Sequence, residues 1–200
     1  MTAASTAGYG READNLAVQY ESITFEQVHA PVLHLLPEAP GHALDIGAGT
    51  GRDAAALVAR GFSVVAVEPT AELRAHGARI HAGRPITWLD DGLPDLAVLA
   101  GRAERFDLIL LTAVWMHLDA DEREQAMARL ADLARPGARI VMTLRHGPIP
   151  EGRRMFEVSA AETVALAARN GLGSLFEASR PDMFGRPSVT WSVLVLSPLG

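Results

Sequence analysis

Asp45, Gly47, Gly49, Gly51 and Glu68 are the residues whose types and spacing bear most directly on chemistry. Asp45 stands two residues before the first glycine of a D-x-G-x-G-x-G run. Glycine tolerates positive φ and lets a ligand approach the backbone closely, so such a run makes a side-chain-poor turn. Residues 43–46 read as the end of a buried strand, and 52–60 (R-D-A-A-A-L-V-A-R) as an alanine-rich helix. Strand, glycine loop and helix together set backbone N–H groups and a helix N-terminus against a bound ligand. The dinucleotide pattern G-x-G-x-x-G is not met, because its third glycine would fall at Arg52. A carboxylate placed like Asp45 repels a pyrophosphate and suits a ligand carrying an ammonium or sulfonium group. Glu68 closes a β-branched run in V-E-P, where an acidic side chain can accept from both hydroxyls of a ribose. Nicotinamide dehydrogenases use an acidic residue in the same way, so Glu68 alone does not decide the ligand.

The elements that must position these residues alternate along the chain. Residues 1–13 are small, polar and glycine-containing, which predicts a mobile tail. Residues 14–36 carry Leu16, Val18, Tyr20, Ile23, Phe25, Val28, Val32, Leu33, Leu35 and Leu36, which predicts one or two helices. These break or bend near Ser22-Ile23 and near Pro31, and Pro37 and Pro40-Gly41 end them. Strands are predicted over 63–68, 86–89, 106–114 and 138–144, with helices over 70–80, 93–103, 121–134 and 160–170. Pro136-Gly137 stops the third of these helices and Gly171 the last. Two strands, 172–179 and 188–196, follow with no room for a helix between them, so they should pair antiparallel at one edge. The result is an α/β fold, a doubly wound seven-stranded, mostly parallel sheet with an antiparallel last strand. Residues 1–40 are read as a helical lid segment of the domain whose body is 41–200, with plain cover of the sheet edge as the other role for those helices.

The glycine hairpin, the strand-ending Glu68 and the antiparallel seventh strand resemble the class I S-adenosylmethionine-dependent methyltransferases over about residues 43–197, in particular the small bacterial ones that act on small molecules. The resemblance implies a Rossmann-like fold, S-adenosylmethionine as cofactor and S-adenosylhomocysteine as product. It implies that Asp45, Gly47, Ala48, Gly49 and Gly51, with Arg52 and Asp53 at the helix start, hold the methionine moiety. Glu68 and Pro69 would take the ribose, and Leu73 the adenine face. Asp90 or Asp91 would accept from the adenine amino group, and Thr112 and Ala113 would flank the cofactor. On the acceptor side stand Trp115 as an aromatic wall, His117, Arg145, His146, Tyr20 and His29. Methyl transfer runs in line from sulfonium to nucleophile, so the enzyme must align the reactants and exclude water. An alcohol or protonated amine acceptor also needs a base, for which His117 is favoured and His146 is second. Arg145 would bind an anionic acceptor group or pair with a surface acid.

Composition narrows the classes. The 24 acidic residues outnumber the 18 basic ones, all arginine and none clustered, which opposes a nucleic-acid-binding face. No cysteine is present, so disulfides, thiol catalysis and thiolate metal sites are excluded, and no metal cluster is expected. No apolar run approaches a membrane span, which gives a cytoplasmic protein without a membrane partner as the expectation. The strand-four end reads T-A-V-W, without the N/D-P-P-Y/F of adenine and glutamine N-methyltransferases. The expected function is therefore methyl transfer to an O, N or S atom of a small molecule by a monomer or homodimer. The alternatives are a protein or RNA methyltransferase and a non-catalytic S-adenosylmethionine-binding module.

Overall fold

The computed structural model describes residue 6 and residues 8–200. The expectation of mobility for residues 1–5 and 7 lies outside the described residues. Seven strands form one sheet in the order β3-β2-β1-β4-β5-β7-β6: β1 (His42–Ile46), β2 (Ser63–Val67), β3 (Ile86–Leu89), β4 (Phe106–Thr112), β5 (Ala134–His146), β6 (Leu172–Pro181) and β7 (Thr190–Pro198). The first five run parallel, while β7 pairs antiparallel with both β5 and β6. That is the sheet the alternation predicts. It reverses direction outward from β1 and β4, the switch point at whose carboxyl ends ligands bind in open α/β sheets.

Alternate residues of the central strands feed two cores. Leu44, Ile46, Ile109, Leu111, Ile140, Met142 and Leu194 face one side. There they meet α5 (Ala97–Ala100), α6 (Ala120–Leu133) and α7 (Ala160–Arg169) through Leu99, Met127, Leu130 and Leu166. Ala43, Leu108, Leu110, Val141 and Val193 face the other side. They pack on α2 (Phe25–His29) and α3 (Arg52–Ala59) through Phe25, Ala54 and Leu57. A strand buried on both faces reads as a near-continuous apolar run, as F-D-L-I-L-L-T of β4 does.

The N-terminal helices fall where expected: α1 (Ala13–Glu21) stops before Ser22-Ile23, and α2 opens on a Thr24–Gln27 capping box. A 3-10 turn follows through Pro31. Three expectations need correction. The helix predicted over 93–103 shrinks to α5, because Pro94 interrupts the run and Leu96 adopts a left-handed φ of 48°. Leu93 and Leu96 are buried from the turn ahead of α5, and Leu99 from α5 itself. Strand β5 begins at Ala134, not 138: Phe106 pairs with Ala134 and Leu108 with Arg139, so Pro136-Gly137 is looped out in a bulge. Finally, residues 8–13 are not a loose tail, since Gly10–Glu12 form a 3-10 turn and Tyr9 enters the cleft. No described helix is long and apolar enough to cross a membrane.

Candidate functional site

A cavity of about 340 Å³ opens at the carboxyl ends of the parallel strands. Its floor is the glycine loop after β1. Gly47, Gly49 and Gly51 all have positive φ, and their Cα faces are close-packed: a Cβ on Gly47 would lie 2.5 Å from Val114, and one on Gly51 2.7 Å from Trp88. A side chain at Gly47 or Gly51 is therefore disfavoured on two independent grounds, backbone φ and close contact. Gly51 caps α3 without a side-chain acceptor, so the orphan N–H of Ala54 is taken instead by Asp45 Oδ2 at 3.1 Å. Across the loop, Glu68 accepts from Gly49 N through Oε2 and from Thr70 N through Oε1, both at 2.8 Å.

These two carboxylates line the cavity and are almost fully buried, at 2% and 4% exposure. Burial pushes both carboxyls up, that of Asp45 strongly, with Asp53 adding repulsion. Neither has a basic side chain as a direct hydrogen-bond partner. The loop end of the cavity thus holds two desolvated acids that a cationic ligand would relieve.

Asp53 is arranged differently. Its Oδ2 accepts from His29 Nε2 at 2.9 Å and Thr112 Oγ1 at 2.8 Å, and its Oδ1 accepts from Arg52 Nε at 2.7 Å. Burial alone would raise its carboxyl, but His29 and Arg52 hold it well below the usual carboxylate range. Next to Thr112, Ala113 adopts φ +61°, held by its N–H donating to Thr143 Oγ1 at 2.8 Å. Strain at a non-glycine residue beside a cleft is what functional sites store.

The opposite wall carries the one histidine of the cavity. His117 lies in a 3-10 turn, Trp115–His117, after β4. Its Nδ1 is 2.8 Å from the Arg154 carbonyl, which can only accept, so Nδ1 carries the proton and Nε2 is an acceptor. Nε2 accepts from Tyr9 Oη at 3.0 Å. Burial lowers the imidazole pKa, assisted by nearby Arg153, Arg154 and Arg145, and burial raises the Tyr9 phenol to about 12. The resting pair is thus a neutral imidazole and a neutral phenol. Tyr20 covers the loop from above, its ring 3.3 Å from where a Gly49 Cβ would stand.

Of the residues singled out from sequence, the cavity brings together Asp45, Gly47, Ala48, Gly49, Arg52, Asp53, Glu68, Leu73, Thr112, Ala113, Tyr20, His117 and Arg145. It does not bring the others. Gly51 lies below the loop against Trp88, and Pro69 faces a separate shallow depression. Asp90 pairs with Arg74 at 2.9 Å, and Asp91 accepts from Gly92 N and Leu99 N to cap α5, so neither carboxylate reaches the cavity. His29 is spent on Asp53. Trp115 is fully buried in the core and forms no wall, and His146 hydrogen-bonds Ser192 Oγ at 2.8 Å, away from the cavity. Sequence reasoning missed Tyr9, Arg180, Asp182, Phe184 and Trp191, which all line it. Tyr9 sits in a polar stretch with no local signal, Arg180 and Trp191 depend on strand register, and Asp182 and Phe184 lie in the β6–β7 loop. Among the described residues no group of three metal-binding side chains occurs.

A family model described as a methyltransferase domain matches residues 44–140. An uncharacterized methyltransferase of Mycobacterium tuberculosis is 34% identical over 113 residues, 53% of this chain and 40% of that one. An uncharacterized methyltransferase of Geobacillus kaustophilus is 29% identical over 133 residues, 66% of this chain and 60% of that one. The chain thus spans less than two thirds of these curated relatives. Among solved structures, the 1,6-didemethyltoxoflavin-N1-methyltransferase of Burkholderia thailandensis superposes with TM-score 0.73 at 21% identity, covering 94% of this chain and 83% of that one. A TehB-like methyltransferase of Corynebacterium glutamicum superposes with TM-score 0.67 at 21% identity, covering 94% and 98%. These likenesses are of fold.

Proposed function

We propose that this chain is a class I S-adenosylmethionine-dependent methyltransferase, as its likeness to methyltransferases supports, and that it transfers a methyl group to a nucleophilic atom of a small molecule. The observation that carries this reading is the pair of desolvated carboxylates, Asp45 and Glu68, on the two sides of the glycine loop in the same cavity as His117. The donor set fits the cofactor: two acids without basic partners match its ammonium and ribose hydroxyls, and Leu73 supplies an apolar surface for adenine. Asp90 and Asp91 lie outside the cavity lining, held by Arg74 and by the Gly92 and Leu99 amides. When bound, S-adenosylmethionine supplies a cationic sulfonium carrying a transferable methyl.

The residues of this chain then do four things. Asp45 and the loop N–H groups hold the methionine end, and Glu68 holds the ribose. Arg52 and Thr112, fixed by Asp53, keep the loop and the end of β4 in register. Residues 8–40 act as a lid, with Tyr9 and Tyr20 over the cleft excluding water. His117 serves as base through Tyr9: the acceptor hydroxyl or amine gives its proton to the Tyr9 oxygen while the Tyr9 proton moves to His117 Nε2, 3.0 Å away. A small-molecule acceptor fits a cavity closed by the N-terminal segment, and the Burkholderia neighbour is a structure with 1,6-didemethyltoxoflavin and S-adenosylhomocysteine bound.

Titration calorimetry with S-adenosylhomocysteine, S-adenosylmethionine and NADH tests the cofactor half. Binding of the first two and not the third is expected, with Glu68→Gln weakening it at least tenfold. NADH binding alone, or unchanged affinity in both Glu68→Gln and Asp45→Asn, would overturn it.

A further inference from the structure

The last two strands place a row of side chains that the cofactor reading leaves unused. Arg145 on β5 pairs with Trp191 on β7, and Trp191 pairs with Arg180 on β6. Residues directly opposite in neighbouring strands share a face, so two guanidinium groups flank one indole, and all three line the cavity. The Arg180 guanidinium stands 5.7 Å from the Trp191 ring.

Neither arginine has an ion-pair partner among the described residues. Arg180 Nε and Nη1 are buried with no hydrogen-bond partner, and the one bond of Arg145 is a long 3.4 Å contact to the Gly147 carbonyl. The nearby acid, Asp182, is already saturated. Its Oδ1 takes Arg186 Nη2 and Trp191 Nε1, and its Oδ2 takes Arg186 Nε, Arg186 N and Phe184 N. Burial pulls both free guanidinium groups below their ordinary value, with Arg186 repelling Arg145 and Arg52 repelling Arg180. Buried donors without acceptors cost stability unless a ligand supplies them.

Resting on the methyltransferase reading, we infer that the β5–β7–β6 end of the cavity binds an acceptor carrying a carboxylate or phosphate group on an aromatic or apolar body. The anion is gripped by Arg180 and Arg145, and the body rests on Trp191 and Phe184. Guanidinium groups recognise both oxyanions through paired N–H donors, so the two share one chemistry here. Arg145 also lies near Tyr9 and His117, which puts the anion beside the proton relay rather than beside the two acids of the glycine loop.

The test uses the full chain saturated with S-adenosylhomocysteine, titrated with benzoate, phenyl phosphate, benzyl alcohol and benzylamine. The Trp191 indole N–H resonance, assigned with Trp191→Phe, is the readout. At least one anion should bind tenfold more tightly than benzyl alcohol, benzylamine should not bind, and the stronger anion identifies the group. Arg180→Met, which keeps the apolar stem, should lose that preference while S-adenosylhomocysteine affinity stays within about twofold. Arg180→Lys, which keeps the charge, should lie between and serves if the methionine variant does not fold. Equal binding of benzyl alcohol and the anions would overturn the inference. So would an Arg180→Met loss of cofactor affinity as large as its loss of anion affinity, since the arginine would then hold the cofactor's own carboxylate. No S-adenosylhomocysteine binding, with anion selectivity intact in the unliganded protein, would sink the cofactor reading alone.

Discussion

Replacing Asp53 by Asn changes almost no volume and removes one charge. Asp53 is 3% exposed and joins three elements: His29 from α2, Arg52 from α3 and Thr112 from β4. An asparagine offers one oxygen. If that oxygen keeps His29 and Thr112, the amide NH₂ meets the Arg52 Nε–H, donor against donor. Removing one side of a buried ion pair costs about 3–5 kcal/mol. The Arg52 side chain is 16% exposed and recovers part of this by hydration, so the lower end, about 3 kcal/mol, is the expected loss. At ~2–4 °C per kcal/mol for a chain of this size, the melting temperature should fall by about 6–12 °C. Scanning calorimetry of Asp53→Asn, Arg52→Met and the double variant checks this. The double variant should lose less than the sum of the singles by at least about 1 kcal/mol. A fall of under about 2 °C, or strict additivity, would refute the claim that this acid is the strut between helical segment and sheet.

Three further outcomes follow from the same geometry. Because burial lowers the His117 pKa, the folded protein binds fewer protons than the unfolded chain between that value and about 6.5, so this residue's contribution to stability falls as pH drops through the window. The acid limb of kcat/KM should therefore lie below pH ~6.5, and His117→Asn should cost about 100-fold in kcat; a limb above that pH would exclude His117 as the base. Asp45 and Glu68 have the opposite sign: raised carboxyl pKa values contribute stability at low pH that is lost as pH rises through the folded values, and a bound cation reverses the loss. Across the acid range in which these two carboxyls titrate, binding of S-adenosylmethionine should then release protons in paired-buffer calorimetry, less so in Asp45→Asn, and equal release in both proteins would count against the assignment. Gly51→Ala and Gly83→Ala share φ +83°, but only the first puts a Cβ 2.7 Å from Trp88. Both should lose about 1 kcal/mol for the backbone, and Gly51→Ala a further ~1–3 kcal/mol for the overlap; equal melting temperatures would deny the close packing.

The parts of this molecule that were readable from sequence are those governed by local rules. A five-residue β-branched run bounded by glycine and proline reads as a strand whatever it pairs with, and the glycine hairpin announces its own turn. The helix predicted over 93–103 is too long because the turn ahead of α5 already buries Leu93 and Leu96. Asp90 and Asp91 lie outside the cavity because these strand-end carboxylates take nearer partners, Arg74 and the Leu99 amide of α5. Tyr9 was invisible since its partner His117 lies 108 residues away. The Arg145–Trp191–Arg180 row exists only through strand register, and the same one-dimensional text would serve a sheet slipped by two residues.

The sheet order has a consequence for how such a protein diversifies. The glycine loop, Glu68 and their strands β1 and β2 come from the first half of the chain and lie on one side of β4, whereas Arg180, Asp182, Phe184 and Trp191 come from the last 30 residues and lie beyond β5. Mutations in the terminal hairpin can therefore remodel one end of the cleft without disturbing the ladder that carries the other. Inheritance can conserve the first half while exploring the second, so descendants of this chain would be expected to differ most in what lies between residues 180 and 191.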